Sequence, residues 1–280
     1  SQRFGALELA PMVPPHAPSL DVSAAALGER LDAAVQTRLH ADVPVGTYLG
    51  GGIDSSVISA LARRHAPQLH TFALRFEDPA YDETDAQRRV ASLLGTEHHE
   101  VLCTDRDVRA NLPEVVWHCE TPLLRTAPVP MFLLSSLVRA RGIKAVLTGE
   151  GADELLAGYS IFQEARVRRF WARQPQSRWR PSLFARVHDF VADHAQRSGA
   201  MWQAFYARGL SAVHDPYYSH RIRWHNTQWA SRVLAPDVLA ATPPLDASIA
   251  ATLPPGFARF SNLERAQALE IATFLSPYLL

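Results

Sequence analysis

Two short glycine-rich segments constrain the fold of this chain more than any other feature of its sequence. The first reads LGGGIDSS from Leu49 to Ser56, and the second reads LTGEGADE from Leu147 to Glu154. Each follows a short apolar run and precedes a helix-like run, so each predicts a strand end, a tight turn and a helix start. At the carboxyl ends of neighbouring parallel strands, two such turns would face one crevice, where open α/β sheets bind their ligands.

The residues around and between these segments alternate between strand-like and helix-like patterns. We expect strands at 45–49, 70–76, 98–103 and 145–148, and helices starting at Ser23 and covering 55–63, 85–94, 112–117 and 130–141. Strands separated by helices of this length require right-handed crossovers and a parallel sheet that is covered on both faces. The prediction for residues 21–160 is therefore a doubly wound α/β domain.

The two ends of the chain have different patterns. Residues 1–20 hold four prolines without periodicity and predict a linker or lead-in. Residues 161–280 lose the strand signal and predict a mainly helical continuation of the domain. Arginines and tryptophans alternate in residues 166–180, a pattern that can bind RNA by phosphate contact and stacking. We expect a solvated helix face or an interdomain surface there instead.

Composition limits the classes of partner. Lysine plus arginine and aspartate plus glutamate both number 28, so no global charge attracts the chain to nucleic acid or to an anionic membrane. No apolar run reaches the roughly 20 residues of a membrane span. We therefore expect a cytoplasmic protein without a nucleic-acid partner. Cys103 and Cys119 fit neither a disulfide framework nor a metal-site spacing, which favours packed thiols.

The first turn has the residue types of a phosphate site. The glycines at 50–52 let the backbone approach a phosphate closely, and Ser55 and Ser56 add hydroxyl groups at the start of the next helix. A tight turn with a serine cap and no ligand has the same pattern. Asp54 favours the functional reading, because a carboxylate beside a phosphate is repelled unless a cation such as Mg²⁺ lies between them.

The second turn places three acids within five residues, namely Glu150, Asp153 and Glu154. At a helix start, these acids could simply complement the helix dipole. Gly149 and Gly151 flank Glu150, however, so its carboxylate lies on a stretch of backbone that a substrate can approach, and Asp153 could supply another magnesium ligand. Lys144 is the one lysine of the chain, so the glycines lack the lysine that a Walker A loop requires.

Two further sets of residues have weaker signals. His98 and His99 could bind a metal, but neighbours on a strand point to opposite faces, which favours packing and surface roles. Glu120, Thr121, Pro122 and Arg125 fall in a predicted loop before a helix. They resemble a segment that lies near the active site in one enzyme family, and plain loop structure is the alternative.

The longer motifs resemble one family. Residues 41–56, ADVPVGTYLGGGIDSS, and 147–159, LTGEGADELLAGY, resemble the synthetase domain of glutamine-hydrolysing asparagine synthetases, which belong to the pyrophosphatase-loop (PP-loop) ATP enzymes. The segment FALRFEDPAYDETDAQRRVASLLGTEHHE between them is similar to the same family. The resemblance implies an adenine nucleotide α-hydrolase-like fold. It also implies an amide-forming ligase in which a carboxylate, with aspartate the leading candidate, attacks ATP to give an acyl adenylate that ammonia then converts to the amide.

The resemblance also assigns roles to individual residues. It implies a pyrophosphate loop of Gly51, Gly52, Asp54, Ser55 and Ser56, with Asp54 and Asp153 as magnesium ligands. Glu150 matches the acid associated with adenylate formation and with handling of ammonia. The adenosine part of ATP would contact four further positions, which are Leu49, Leu74, Thr148 and Gly149.

Three differences from the family pattern leave alternatives open. Gly50 stands where the family usually has serine, and Thr148 is a conservative replacement of another serine. The family continues beyond residue 280 with a phosphate-binding lysine, so we expect a sequence truncated at its carboxyl end, and a glutaminase domain before residue 1. The alternatives are a lactam-forming or other amidotransferase, a nucleotide-binding domain without turnover, and an RNA-modifying PP-loop enzyme. A homodimer is also compatible with the sequence.

Overall fold

The computed structural model of the chain describes residues 18–121, 123, 125–188 and 201–279. The predicted lead-in up to residue 17 and Pro122 of the predicted loop lie outside these residues. The described chain divides into two compact units, one of residues 17–150 and the other containing residues 151–280. The boundary between them falls between Glu150 and Gly151.

The unit of residues 17–150 alternates helices and strands. Its elements are α1 (Leu20–Leu39), β1 (Val45–Tyr48), α2 (Ile53–His65), β2 (His70–Phe76), α3 (Thr84–Leu94), β3 (Glu97–Cys103), α4 (Asp105–Cys119), α5 (Pro128–Ala140) and β4 (Ala145–Leu147). All strand pairs are parallel, in the order β3-β2-β1-β4. The predicted α/β fold with a parallel sheet is therefore confirmed.

Helices cover both faces of the sheet. On one face, α5 packs Leu134 and Val138 against Phe72 of β2. On the other face, α1 and α2 contribute Val35 and Ala62 to a second core. Gly46 of β1 lies beside the Phe72 ring, where a Cβ would come within 2.8 Å of a ring carbon. Glycine is therefore required at residue 46 for the aromatic ring to pack in this position.

Several helix ends follow local sequence signals. Gly95 has a left-handed backbone (φ +62°) and ends α3, as the sequence predicts. Thr104 and Asp107 form a reciprocal capping box that begins α4. The predicted start of α1 at Ser23 is wrong, because Ser19 is the cap and its hydroxyl accepts a hydrogen bond from the Val22 N–H.

The described residues of the other unit form helices joined by turns and irregular segments, with no strand among them. Its elements are α6 (Ala152–Leu156), α7 (Ser160–Ala172), helices Tyr218–Thr227, Pro236–Ala241, Leu245–Ala250 and Asn262–Glu270, short 3₁₀ segments Arg180–Arg186, Gln228–Val233 and Phe257–Arg259, and a π-helix Ile271–Leu279. Trp171 of α7 packs with Phe184, Tyr206 and Ile222 in one of its cores. Within the described residues, no helix combines the length and the apolar character that crossing a membrane requires.

The predicted solvated face in residues 166–180 is wrong for two of its residues. Arg168 is 1% exposed and Trp171 is 3% exposed. The Arg168 guanidinium lies 4.1 Å from the centre of the Tyr218 ring. It also donates hydrogen bonds to the backbone carbonyls of Tyr206, Arg208 and Tyr218. Arginine periodicity alone could not reveal this, because the acceptors are 38 to 50 residues away in the sequence.

The two cysteines are free thiols. Cys103 is buried at the end of β3, and burial raises the pKa of its thiol. Cys119 is partly buried at the end of α4. The burial of Cys103 agrees with the predicted packed thiol.

Candidate functional site

The order of the strands brings the two glycine turns to neighbouring positions. From β1 the chain proceeds to β2 and β3 on one side, and it later returns to the other side of β1 as β4. The topological switch point of the sheet therefore lies between β1 and β4, where open α/β sheets form a crevice at the carboxyl ends of their strands. The first turn directly follows β1, and Thr148 to Glu150 directly follow β4.

Gly149 packs against the start of α2. A Cβ at residue 149 would lie 2.8 Å from the Ser55 backbone nitrogen and 3.0 Å from the Asp54 backbone carbonyl carbon. Contacts this short displace backbone atoms, so glycine is required for the two turns to approach. The structure thus brings together the Asp54–Ser55 and Thr148–Gly149 parts of the predicted site.

Serine side chains organise the first turn. The Ser55 hydroxyl accepts a hydrogen bond from the Gly50 N–H at 3.0 Å and lies 3.3 Å from the Gly50 carbonyl oxygen. The Ser56 hydroxyl donates to the Gly52 carbonyl at 2.7 Å. Gly52 is the N-cap of α2 and offers no side-chain acceptor to the first turn of that helix. Backbone N–H groups at such an end, together with the helix dipole, favour an anion.

Glu83 also contacts this site, although the sequence motifs did not single it out. Its carboxylate Oε2 accepts a hydrogen bond of 2.7 Å from the Gly51 N–H. Glu83 is the N-cap residue of α3, but its side chain does not cap that helix. It contacts the glycine turn instead, 32 residues away along the chain. The sequence shows an acid at residue 83, but only the fold shows that its carboxylate contacts the Gly51 N–H.

The second turn presents a hydroxyl and a carboxylate. The Thr148 hydroxyl accepts a hydrogen bond of 3.3 Å from the Glu150 N–H, and the Glu150 side chain is exposed. Lys144 lies immediately before β4, at the opposite end of that strand from Thr148. Lys144 therefore lies away from the turn that follows β4.

Two acids of the second segment lie in the unit that begins at Gly151, and they have different surroundings. Glu154 is fully buried on α6 and accepts a hydrogen bond of 3.1 Å from the Tyr159 hydroxyl. This contact gives Glu154 a role within its own unit. Asp153 is partly buried, and its carboxylate lies against the backbone of Gly158, where a Cβ would overlap it. Glycine at 158 thus makes room for the Asp153 side chain.

The two predicted adenosine contacts on the first strands lie in or beside the apolar core. Leu49 is 1% exposed, and its N–H donates to the Phe72 carbonyl at 2.8 Å. Leu74 packs beside Phe72 on the α5 face of the sheet, and its carbonyl accepts a hydrogen bond from the Gln87 side chain. The contact of both residues with adenosine remains a prediction.

Comparison with known proteins gives consistent similarities. The sequence model of the family described as asparagine synthase matches residues 26–280 of this chain. The chain is 39% identical over 155 residues to asparagine synthetase B [glutamine-hydrolyzing] of Escherichia coli (strain K12), covering 50% of this chain and 28% of that protein. It is 37% identical over 131 residues to asparagine synthetase [glutamine-hydrolyzing] 1 of Bacillus subtilis (strain 168), covering 47% and 21%.

Two further comparisons define the extent of the similarity. Asparagine synthetase [glutamine-hydrolyzing] 2 of Arabidopsis thaliana is 35% identical over 197 residues, which are 66% of this chain and 33% of that protein. The matched region of this chain thus spans a third or less of these three relatives. The NH3-dependent NAD synthetase from Campylobacter jejuni matches with a TM-score of 0.38 and 13% identity, over 89% of this chain and 94% of that structure. A likeness this weak supports no argument about the site.

Proposed function

Because the chain belongs to the asparagine synthase family, we propose that it is the ATP-dependent, amide-forming part of an asparagine synthetase. A carboxylate, the β-carboxylate of aspartate in our proposal, attacks the α-phosphate of ATP and releases pyrophosphate. Ammonia then attacks the acyl adenylate, and the products are the amide and AMP. The observation that carries the proposal is the close packing of the Asp54–Ser55 and Thr148–Gly149 turns at the switch point of a parallel sheet.

The first turn suits the pyrophosphate part of ATP. Backbone N–H groups of Gly51 and Gly52, with the hydroxyls of Ser55 and Ser56, form the donor set that we assign to the phosphoryl oxygens. The N-terminal end of α2 contributes its dipole to the same anion. Gly50 retains its N–H but lacks the hydroxyl that the family usually has there. The adenosine part would lie against Leu49, Leu74, Thr148 and Gly149.

The acids suit a magnesium ion. Mg²⁺ prefers oxygen ligands and is typically held in proteins by one or two carboxylates together with substrate phosphates. We assign these roles to Asp54 and Asp153. The bound ion would neutralise the negative charge of the departing pyrophosphate. Asp54 lies in the first turn of α2, so its carboxylate is beside the proposed phosphate donors.

Glu150 has the chemistry for the second half of the reaction. Its carboxylate is exposed at the turn after β4, two residues from the Thr148 hydroxyl that holds its backbone N–H. An attacking ammonia must lose a proton as the amide forms, and a carboxylate within reach can accept it. We assign that role to Glu150, together with positioning of the ammonia.

The source of ammonia belongs to a larger protein. The relatives named above are glutamine-hydrolyzing enzymes and are at least three times as long as their matched regions. We propose that a glutaminase domain supplies ammonia to this chain in the natural protein, and that the protein acts in the cytoplasm. Amidation or lactam formation on another carboxylate uses the same groups and is the second candidate within this chemistry.

Loss of the Asp54 carboxylate tests the proposal. We expect Asp54→Asn to lower pyrophosphate release from Mg-ATP, with aspartate and ammonium as co-substrates, by roughly a hundredfold or more, because a preorganised charge in the transition state is removed. The measurement is pyrophosphate release on the natural full-length protein and on this chain. Asp42→Asn is the control, since Asp42 is exposed in the turn before β1.

The outcomes distinguish the candidate functions. Release with aspartate, and asparagine among the products, supports the ligase. Pyrophosphate release with a different carboxylate, and not with aspartate, supports another amidotransferase or a lactam-forming enzyme. ATP binding without release in the full-length protein contradicts the ligase and identifies a nucleotide-binding domain without turnover.

A further inference from the structure

Three potential metal ligands converge on the sheet away from the glycine turns. His70 begins β2 and Glu97 begins β3, and these two residues are partners in the strand register. His99 lies two residues further along β3, opposite Phe72. All three therefore lie at the amino ends of the strands, whereas the glycine turns follow the carboxyl ends. The cluster is separate from the proposed nucleotide site.

The ligand atoms lie close together. The Nδ1 atom of His70 is 3.0 Å from Nε2 of His99. The Glu97 carboxylate lies 3.7 Å from His70 Nδ1 and 3.4 Å from His99 Nε2. Among the described residues, these three side chains each offer one potential ligand atom, and the three atoms lie within 4.8 Å of one another. Ligands at about 2.0–2.2 Å from a tetrahedral Zn²⁺ lie about 3.3–3.6 Å apart, which is close to the distances between these side-chain atoms.

The surroundings keep the imidazoles oriented. The His70 and His99 rings are within 13° of parallel, and the Phe72 ring lies 5.1 Å from the His99 ring. The His99 side chain is 5% exposed, so its ring is held by the packing around it. Glu97 is 63% exposed on its side chain, so an ion and its water ligand can reach the cluster from solvent.

The neighbouring histidine serves as an internal comparison. His98 points to the opposite face of β3, as the sequence predicts, and its Nδ1 atom lies 2.9 Å from the Thr71 hydroxyl. Glu100, on that same face, forms hydrogen bonds with Arg88. The two adjacent histidines thus have separate partners, and only His99 belongs to the cluster.

We propose that His70, Glu97 and His99 bind one divalent transition metal ion of the zinc type, with water as the remaining ligand. Two imidazoles and one carboxylate form a common three-residue ligand set for zinc. The ion replaces the direct hydrogen bond between the two imidazoles, which requires them to separate by a few tenths of an ångström. The site ties the start of β2 to β3, and we assign it a stabilising role in the sheet.

Zinc titration of the full chain tests the proposal. We expect one saturable Zn²⁺ per chain by isothermal titration calorimetry, and an increase of the melting temperature with zinc concentration, because an ion that binds only the folded state stabilises it. The Glu97→Gln variant should bind zinc at least about tenfold more weakly. The exposed position of Glu97 means that this variant is expected to fold normally, as circular dichroism would check. His99→Gln should abolish the saturable site.

The controls identify the ligands. Glu100→Gln changes an acid on the opposite face of β3 and should leave zinc affinity unchanged. Substitution of both cysteines by serine should also have no effect, and Co²⁺ should give a spectrum of nitrogen and oxygen ligation without a thiolate band. Absence of saturable zinc binding, or equal loss of affinity in Glu97→Gln and Glu100→Gln, would overturn the proposal and leave a hydrogen-bonded histidine pair. Because the test uses no nucleotide, its failure leaves the proposed ligase function untouched.

Discussion

At the scale of single residues, the Glu83 carboxylate is hydrogen-bonded to a backbone N–H group that we assign to pyrophosphate binding. It accepts a hydrogen bond of 2.7 Å from the Gly51 N–H, and a Cβ on Gly51 would come within 2.9 Å of the Glu83 side chain. A bound pyrophosphate group would bring negative charge to the same N–H. Two anions at one donor repel each other, so binding requires the Glu83 side chain to move or a cation to lie between them.

We therefore expect Glu83→Gln to strengthen binding of pyrophosphate measured without magnesium, by roughly tenfold, because the amide keeps the size of the side chain but removes its charge. The measurement is isothermal titration calorimetry with sodium pyrophosphate. Glu77→Gln removes an exposed acid from the segment after β2 and serves as the control. If Glu83→Gln weakens binding, and does so more strongly with magnesium present, Glu83 is a metal ligand rather than a competing anion.

At the scale of elements, one buried arginine of α7 connects that helix to two other segments of its unit. Arg168 donates to the carbonyls of Tyr206, Arg208 and Tyr218, which lie in two chain segments. A guanidinium has five donors in a fixed fork and can serve several acceptors at once. The Arg168 side chain thus supplies hydrogen-bond donors to three backbone carbonyls that lie between residues 206 and 218.

Replacement of this arginine should be severe. We expect Arg168→Met to lower the free energy of unfolding by about 3 kcal/mol or more, because three carbonyls lose a donor and each buried unsatisfied group costs about 1–3 kcal/mol. Arg168→Lys should also destabilise, since one ammonium cannot reproduce the fork. Urea denaturation measures both variants against Arg166→Met, a change at an exposed position of the same helix. A loss no larger than that of Arg166→Met would show that the three hydrogen bonds contribute little.

At the scale of the whole molecule, the sheet and its covering helices lie within one compact unit. Residues 17–150 contain all four strands of the parallel sheet, both apolar cores that cover its faces, and the packed Asp54–Ser55 and Thr148–Gly149 turns. A unit with a complete sheet and its own core satisfies the usual description of a domain. It should therefore fold without the residues that follow Glu150.

We expect a protein consisting of residues 17–150 to fold cooperatively, with strand and helix signals in circular dichroism and a single thermal transition. Phe72→Ala in the same protein should destabilise it by about 3–5 kcal/mol, because Phe72 is fully buried between β2 and α5. A fragment without a cooperative transition would mean that the sheet depends on the helical unit for its stability.

Several features followed from the sequence because their causes are local. The alternation of apolar strands with helical periods predicted the parallel sheet, and Gly95 predicted the end of α3 through its left-handed backbone. The glycine turns and the family resemblance predicted Asp54, Gly149 and their neighbours as site residues. The family assignment is confirmed by the match to residues 26–280.

The remaining features depended on contacts between residues far apart in the sequence. The Glu83–Gly51 hydrogen bond joins positions 32 residues apart, Arg168 reaches carbonyls up to 50 residues away, and His70 meets His99 through the register of β2 and β3. Periodicity and motif spacing describe which face or turn a residue occupies, but not which distant group lies opposite it. The sequence by itself determined the architecture and the chemistry of the turns, and only the tertiary structure decided these partners, because chain crossovers and strand register place them together.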